Sequence, residues 1–252
     1  MLAAPLFAGG LFLGMLVLLE LGRRLGVRRI AQDPERAAAG AGVVEGAVFA
    51  LFGLLIAFTF SGAAARFDAR RQLVVEETNA IGTAYLRLDL LPADAQPGLR
   101  DRFRSYLDSR LETYRKLPDI EAAQEELARS GRLQGEIWTQ AVAACRAKDD
   151  PATTTLVLSA LNAMIDITTT AAKMHPPTIV FVMLFGLGLG CALLAGYSMA
   201  GSKSRSWTHM IGFAAIAALT VYVILDIEYP RLGLIRVDAV DQVLVELRES
   251  MK

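Results

Sequence analysis

The side chains that carry most chemistry are scarce here and poorly spaced for catalysis. The chain has two histidines, His175 and His209, and two cysteines, Cys145 and Cys191. No His-x-x-x-His pair presents two ligands on one helix face, and two histidines cannot build a histidine-rich metal site. His175 precedes Pro176 and Pro177 and reads as a helix-end residue. Cys145 has no sequence context for a nucleophile and reads as a buried structural thiol. Cys191 lies in an apolar run, so a disulfide between the two is not expected. The Gly-Leu-Gly-Leu-Gly run at 186–190 is glycine-rich like a nucleotide loop, but it lies mid-run with no strand before it, and helix packing accounts for it better. No Gly-x-Ser-x-Gly elbow or Walker loop occurs. No catalytic residue, metal or cofactor is expected, and the chain is not expected to be an enzyme.

What remains is a set of ionisable residues at the borders of apolar runs, where a charge is costly and is usually paired or functional. Glu45 opens one such run. Arg66, Arg70 and Arg71 follow it, and Asp226 and Glu228 close another before Pro230. One hypothesis is an ion-pair cluster joining these basic and acidic groups. The alternative is a set of solvated helix-end charges. Asp226→Arg rescued by Arg70→Asp would support pairing, whereas two additive losses of assembly would count against it.

The elements that must position these groups follow from composition. The 252 residues are 54% hydrophobic yet 21% charged. That combination points to segregation into apolar blocks in lipid and charged blocks in water. With 26 basic and 26 acidic residues the net charge is zero, and nothing argues for a nucleic-acid partner. Four runs reach the ~20 apolar residues that cross a bilayer: Ala3 to Leu21, Val43 to Ala65, Pro177 to Ala200 and Trp207 to Leu225. The first lacks a basic leading region and a clean cleavage site, and is read as a retained helix rather than a signal peptide.

Between the second and third runs, Leu99, Phe103, Tyr106, Leu107, Leu111 and Tyr114 recur at three and four, an amphipathic helix after Pro97. A second helix passes through Leu127, Leu133, Ile137, Trp138 and Ala141. A third follows Asp150-Pro151, with Leu158, Leu161, Ile165 and Thr168 on one side. The fold class expected is all-α: an integral membrane protein with four transmembrane helices and a helical extramembrane domain between the second and third. The boundaries expected are 1–65 for the first two spans, 66–176 for the helical domain, 177–228 for the last two spans and 229–252 for an amphipathic C-terminal helix. No proline interrupts Val43 to about Leu90, so the second span should continue as one long helix into water.

That second helix has three distinct faces at 3.6 residues per turn. Gly46, Ala50, Gly53, Ala57, Ser61 and Ala64 form a stripe of small residues, which lets another helix backbone come close. Beside it lie Glu45, Phe49, Phe52, Ile56, Phe60, Ala63 and Phe67. The third face, with Val44, Val48, Leu51, Leu55 and Phe58, suits lipid or a neighbouring span. Two readings stand. The small stripe packs on the protein's own first, third or fourth span, or copies of this helix from several subunits surround an axis. In the second case Glu45, Phe49, Phe52, Ile56 and Phe60 line a hydrophobic neck, and the small stripe is the subunit contact. Gly10-x-x-x-Gly14 and Gly186-x-x-x-Gly190 supply further close-approach positions in the first and third spans.

With these residues in hand, the chain resembles the bestrophin-like family of bacterial membrane proteins. The carrying segments are EGAVFALFGLLIAFTFSGAAARFDARRQLVVEETNAIGTAYLRLDLLP (45–92), LNAMIDI (161–167) and ILDIEYPRLGLIRV (224–237). The first is the most specific, with Arg66-Phe67-x-x-Arg70-Arg71 matching an aromatic-arginine stretch that ends a span in bacterial bestrophins. The resemblance implies an oligomer, pentameric in bestrophins, conducting inorganic ions, anions in particular, through a neck lined by the second helix. It also implies a multi-pass protein of the bacterial inner membrane. The alternative is a non-conducting membrane scaffold or sensor whose helical domain binds a protein partner.

Orientation is read from lysine and arginine near the spans. Arg23, Arg24, Arg28, Arg29 and Arg36 after the first span, with Lys203 and Arg205 after the third, place those loops in the cytoplasm and the large domain outside. Arg66, Arg70, Arg71, Lys173, Arg231 and Arg236 nearly balance them on the other side, and the resemblance puts the large domain in the cytosol. The charge rule is followed here.

Overall fold

The structure is a computed structural model that describes residues 3–32, 41–117, 119–171, 178–201, 207–229, 233–235 and 238–251. His175 and the cations Arg36, Lys173, Lys203, Arg205, Arg231 and Arg236 lie outside the described residues. Regular structure among the described residues is entirely helical: α1 (Ala3–Gln32), α2 (Ala41–Leu86), a 3-10 turn (Arg87–Leu90), α3 (Gln96–Arg115), α4 (Ile120–Lys148), α5 (Pro151–Ala171), α6 (Thr178–Ser198), a 3-10 turn (Met199–Gly201), α7 (Trp207–Glu228) and α8 (Asp238–Ser250). Among the described residues, four helices are long and apolar enough to cross a membrane: α1, α2, α6 and α7. The chain divides into two compact units, one of Met1–Ala65 and His175–Tyr229, the other of Arg66–Met174 and Pro230–Lys252. Helix α2, 46 residues without a break, contributes its first half to one and its second half to the other.

In the first unit α1 packs mainly on α6 and α7. Its inner stripe, Leu11, Met15 and Leu19, recurs at four and is fully buried against Leu184, Cys191 and Ala214. The closest approach lies further along. A Cβ on Gly22 would strike Leu193 O and sit 2.9 Å from Tyr197 N, and one on Gly26 would lie 2.7 Å from Tyr197 O. From the other side, a Cβ on Gly196 would strike Leu19 O and lie 2.7 Å from Leu19 C. The glycines expected to do this do not. Gly10, Gly186 and Gly190 would meet nothing within 4 Å, and Gly14 meets only a leucine side chain, Leu189 Cδ2, at 3.1 Å. Helix α1 also runs past the expected boundary at Leu21, so Arg23, Arg24, Arg28 and Arg29 lie on helix rather than in a loop. No proline stops the helix there. Arg24 Nε reaches back one turn to Glu20 at 2.8 Å.

The second unit gathers the far half of α2 with α3, α4, α5 and α8 around one apolar core. Phe103, Tyr106, Leu107, Ile137, Leu161 and Leu244 are among its fully buried members. Helix starts follow local rules. Asp119 Oδ1 accepts from Ala122 N at 3.1 Å to cap α4. Asp150 does the same for α5, accepting from Ala152 N at 3.1 Å ahead of Pro151 in the first turn. Helix α4 ends on Asp149 in the left-handed region (φ 52°), a conformation aspartate tolerates better than most side chains. Cys145 is buried in this core, and burial raises its thiol pKa, as an unreactive structural cysteine requires. Trp138, in contrast, is on the outer side of α4 and exposed.

Candidate functional site

Helix α2 holds nearly all the singled-out residues, and its two sides differ sharply. On the covered side, Glu45 is buried and accepts a hydrogen bond from Ser198 Oγ of α6. Phe49, half-buried, stacks edge-on against Phe213 of α7 with centroids 6.0 Å apart. Phe52 is 5% exposed, and its ring packs against Gly188 of α6, where a Cβ would lie in ordinary contact with it at 3.4 Å. Ile56 is half-buried in the same cluster, and Ala63 is fully buried. Phe60 departs from this pattern and is exposed. Apart from Phe60, the aromatic stripe of this span thus faces the chain's own third and fourth spans. Phe49 and Phe52 fill space inside one chain, so the expected neck residues do not share one open face.

The opposite side is bare. Gly46, Ala50, Gly53, Ala57 and Ser61 are exposed, and a Cβ on Gly46 or Gly53 would meet nothing within 4 Å. Among the described residues nothing packs on these five, which is not the arrangement expected if the small stripe met the protein's own spans. Leu54 and Phe58, at the edge of the same bare face, are 52% and 68% exposed. Only 11% of the apolar window of this span is buried within the chain, against 44% for α7. A second span so little covered by its own chain has room for a partner along most of one side.

In the second unit the same helical period continues. Asp68, Gln72, Glu76, Asn79 and Thr83 are exposed at steps of three and four, while Val74, Glu77, Ile81 and Ala84 face inward. Glu77 and Arg110 were not singled out by sequence. Arg110 donates to Glu77 through Nε and Nη2 at 2.7 and 3.1 Å, and Nη2 also donates to Tyr114 Oη at 2.7 Å. Burial works against the guanidinium charge, but Tyr114 and Glu77 outweigh it and hold the Arg110 pKa above its ordinary value. The signal was present, since Arg110 falls seven residues after Phe103 on the buried stripe of α3.

Of the junction charges, Arg66 and Arg70 are half-buried, and Arg71 is exposed with Asp68 3.7 Å away. Asp226 and Glu228 are 2% and 1% exposed. Carboxylates that deep are not solvated helix-end charges, and Tyr222 donates to Asp226 Oδ1 at 3.3 Å. Among the described residues no three His, Cys, Asp or Glu side chains converge as a metal site.

Comparison with known proteins accords with this architecture. A crystal structure of a bacterial bestrophin homologue from Klebsiella pneumoniae matches with a TM-score of 0.67 at 15% identity, covering 93% of this chain and 97% of that one. A point-mutant form of that homologue gives the same TM-score and identity over 95% of this chain and 98% of that one. Identity this low speaks for the fold alone. No curated relative matches the chain by sequence. The model of the bestrophin-like domain matches residues 9–241, nearly the whole chain, and the chain therefore belongs to the bestrophin-like family.

Proposed function

We propose that the chain is one protomer of an oligomeric ion channel in the bacterial inner membrane, with the bare face of α2 turned toward the axis. The observation that carries this reading is that bare face. The exposed surface of this span also carries large groups, Val44, Leu51, Leu54 and Phe58, as a lipid-facing side would, but beside them runs a stripe of small residues, Gly46, Ala50, Gly53, Ala57 and Ser61, that is uncovered among the described residues. Small residues let helix backbones approach closely in a medium as apolar as leucine. In a ring of α2 helices those residues form the subunit contacts, while Leu54 and Phe58 narrow the aperture. A constriction of this kind gates by dewetting. Phe49 and Phe52 then act from behind, fixing α2 to α6 and α7, and Phe60 lies at the flank of the aperture.

Beyond Ala65 the face turns polar with Asp68, Gln72, Glu76, Asn79 and Thr83, as the wall of a water-filled vestibule would. The second unit is accordingly read as a domain outside the bilayer. The pentameric count and the preference for anions rest on the resemblance to bestrophins.

The test is chloride flux from liposomes carrying the purified protein, together with particle images. Phe58→Ala and Leu54→Ala are expected to raise flux by widening the neck. Phe52→Ala, which empties a buried site, is expected to lower the folded yield by costing about 3–5 kcal/mol while leaving conduction per channel unchanged. Monomeric particles, rings with α2 outermost, or flux indifferent to Phe58→Ala and Leu54→Ala would overturn the reading. A reversal potential that follows the cation rather than chloride would overturn the anion preference alone.

A further inference from the structure

The bare face of α2 ends in three polar residues at every fourth position, Asn79, Thr83 and Arg87, the last in the 3-10 turn that continues the helix. They border a groove of about 360 Å³ whose other wall is Ser159, Ala160 and Ala163 of α5. Nη1 of Arg87 crosses the groove and donates to Leu156 O at 2.5 Å and to Ser159 Oγ at 3.3 Å. That anchors the guanidinium and leaves its Nε and Nη2 edge for another acceptor. Ser159 is satisfied in turn, donating to Leu156 O at 3.2 Å. The Asn79 amide and the Thr83 hydroxyl are exposed and make no hydrogen bond among the described residues.

The lining is rich in donors, carries one positive charge and includes no carboxylate. A cation would find no charged oxygen here, and a purely apolar ligand would strand the guanidinium edge and the amide. A planar or tetrahedral oxyanion satisfies both, since a guanidinium edge matches two oxygens of a carboxylate or phosphate. The alanine methyls of Ala80, Ala160 and Ala163 leave the space, and the volume is at the small end of ligand sites. We propose that this groove binds a small oxyanion, a carboxylate or phosphate group, held by the free edge of Arg87 with Thr83 and Asn79 as further donors.

The site does not depend on conduction, so binding is read on the full-length protein in detergent with inorganic phosphate as the probe, by broadening of its phosphorus resonance. Saturable broadening is expected, and Arg87→Gln should weaken binding about tenfold or more. Because Arg87 also ties down Leu156, Ala163→Leu provides a second variant. It fills the groove from an exposed position and should abolish broadening while leaving thermal unfolding unchanged. Competition by succinate would assign the site to carboxylates as well, and its absence to phosphate alone. Broadening that is absent, or equal in wild type and Ala163→Leu, overturns the proposal.

Discussion

Arg110→Met is expected to destabilise the second unit by about 3–5 kcal/mol, because it leaves Glu77 as a buried charge with no counterion. The two side chains are 5% and 4% exposed and meet in a two-pronged pair, so water cannot replace the lost partner. Removing Glu77 alone should be as damaging, since it strands the guanidinium. The double variant Glu77→Leu/Arg110→Met is expected to regain most of the loss. Two apolar side chains of similar volume need no desolvation, and a buried ion pair often does no better than such a replacement. Tyr114 Oη would still lose its contact with Arg110 Nη2, which limits the recovery. Thermal unfolding of the full chain in detergent, compared across the four members of the cycle, measures the coupling. A single variant within about 1 kcal/mol of wild type, the range of an exposed pair, would show that the pair is hydrated in solution.

The parts of the fold that were legible in the sequence are those set by length and continuity. Four apolar runs of sufficient length became four helices able to span a bilayer, and the absence of proline from Val43 to Leu90 became the single long helix α2. Less legible was what each face touches. Periodicity sorts residues into stripes but does not say which stripe meets the protein itself. Phe52 packs over Gly188 of another span, a neighbour far away in sequence that its own stripe does not reveal. The same gap explains the glycines. Gly22-x-x-x-Gly26 has the spacing of Gly10-x-x-x-Gly14, but Arg23 and Arg24 make it look like the end of a span rather than part of an interface. Arg110 illustrates a third case. A charged residue on an otherwise apolar stripe reads as an interruption until its partner, Glu77 on another helix, is known.

Gly196→Ala provides the sharpest test of the first unit, because two effects of opposite sign act at one position. Glycine within a helix is about 1 kcal/mol less favourable than alanine, so without any other influence the substitution should stabilise α6. The structure predicts a loss instead. The new methyl would collide with Leu19 O and lie 2.7 and 2.8 Å from Leu19 C and Cα, all backbone atoms of α1. A side chain in the way can change rotamer, but a helix backbone can yield only by moving α1 and α6 apart along their whole contact. Overpacking of side chains costs about 1–3 kcal/mol, and a collision with backbone should reach or exceed the upper end. Gly22→Ala meets Leu193 O from the opposite helix and should behave the same way. Gly10→Ala and Gly190→Ala, where nothing lies within 4 Å, should gain or hold stability. Thermal unfolding in detergent separates the pairs by sign. If Gly196→Ala and Gly22→Ala were as stable as Gly10→Ala, α1 and α6 would not be in the close contact described here, and the support behind α2 would have to come from elsewhere.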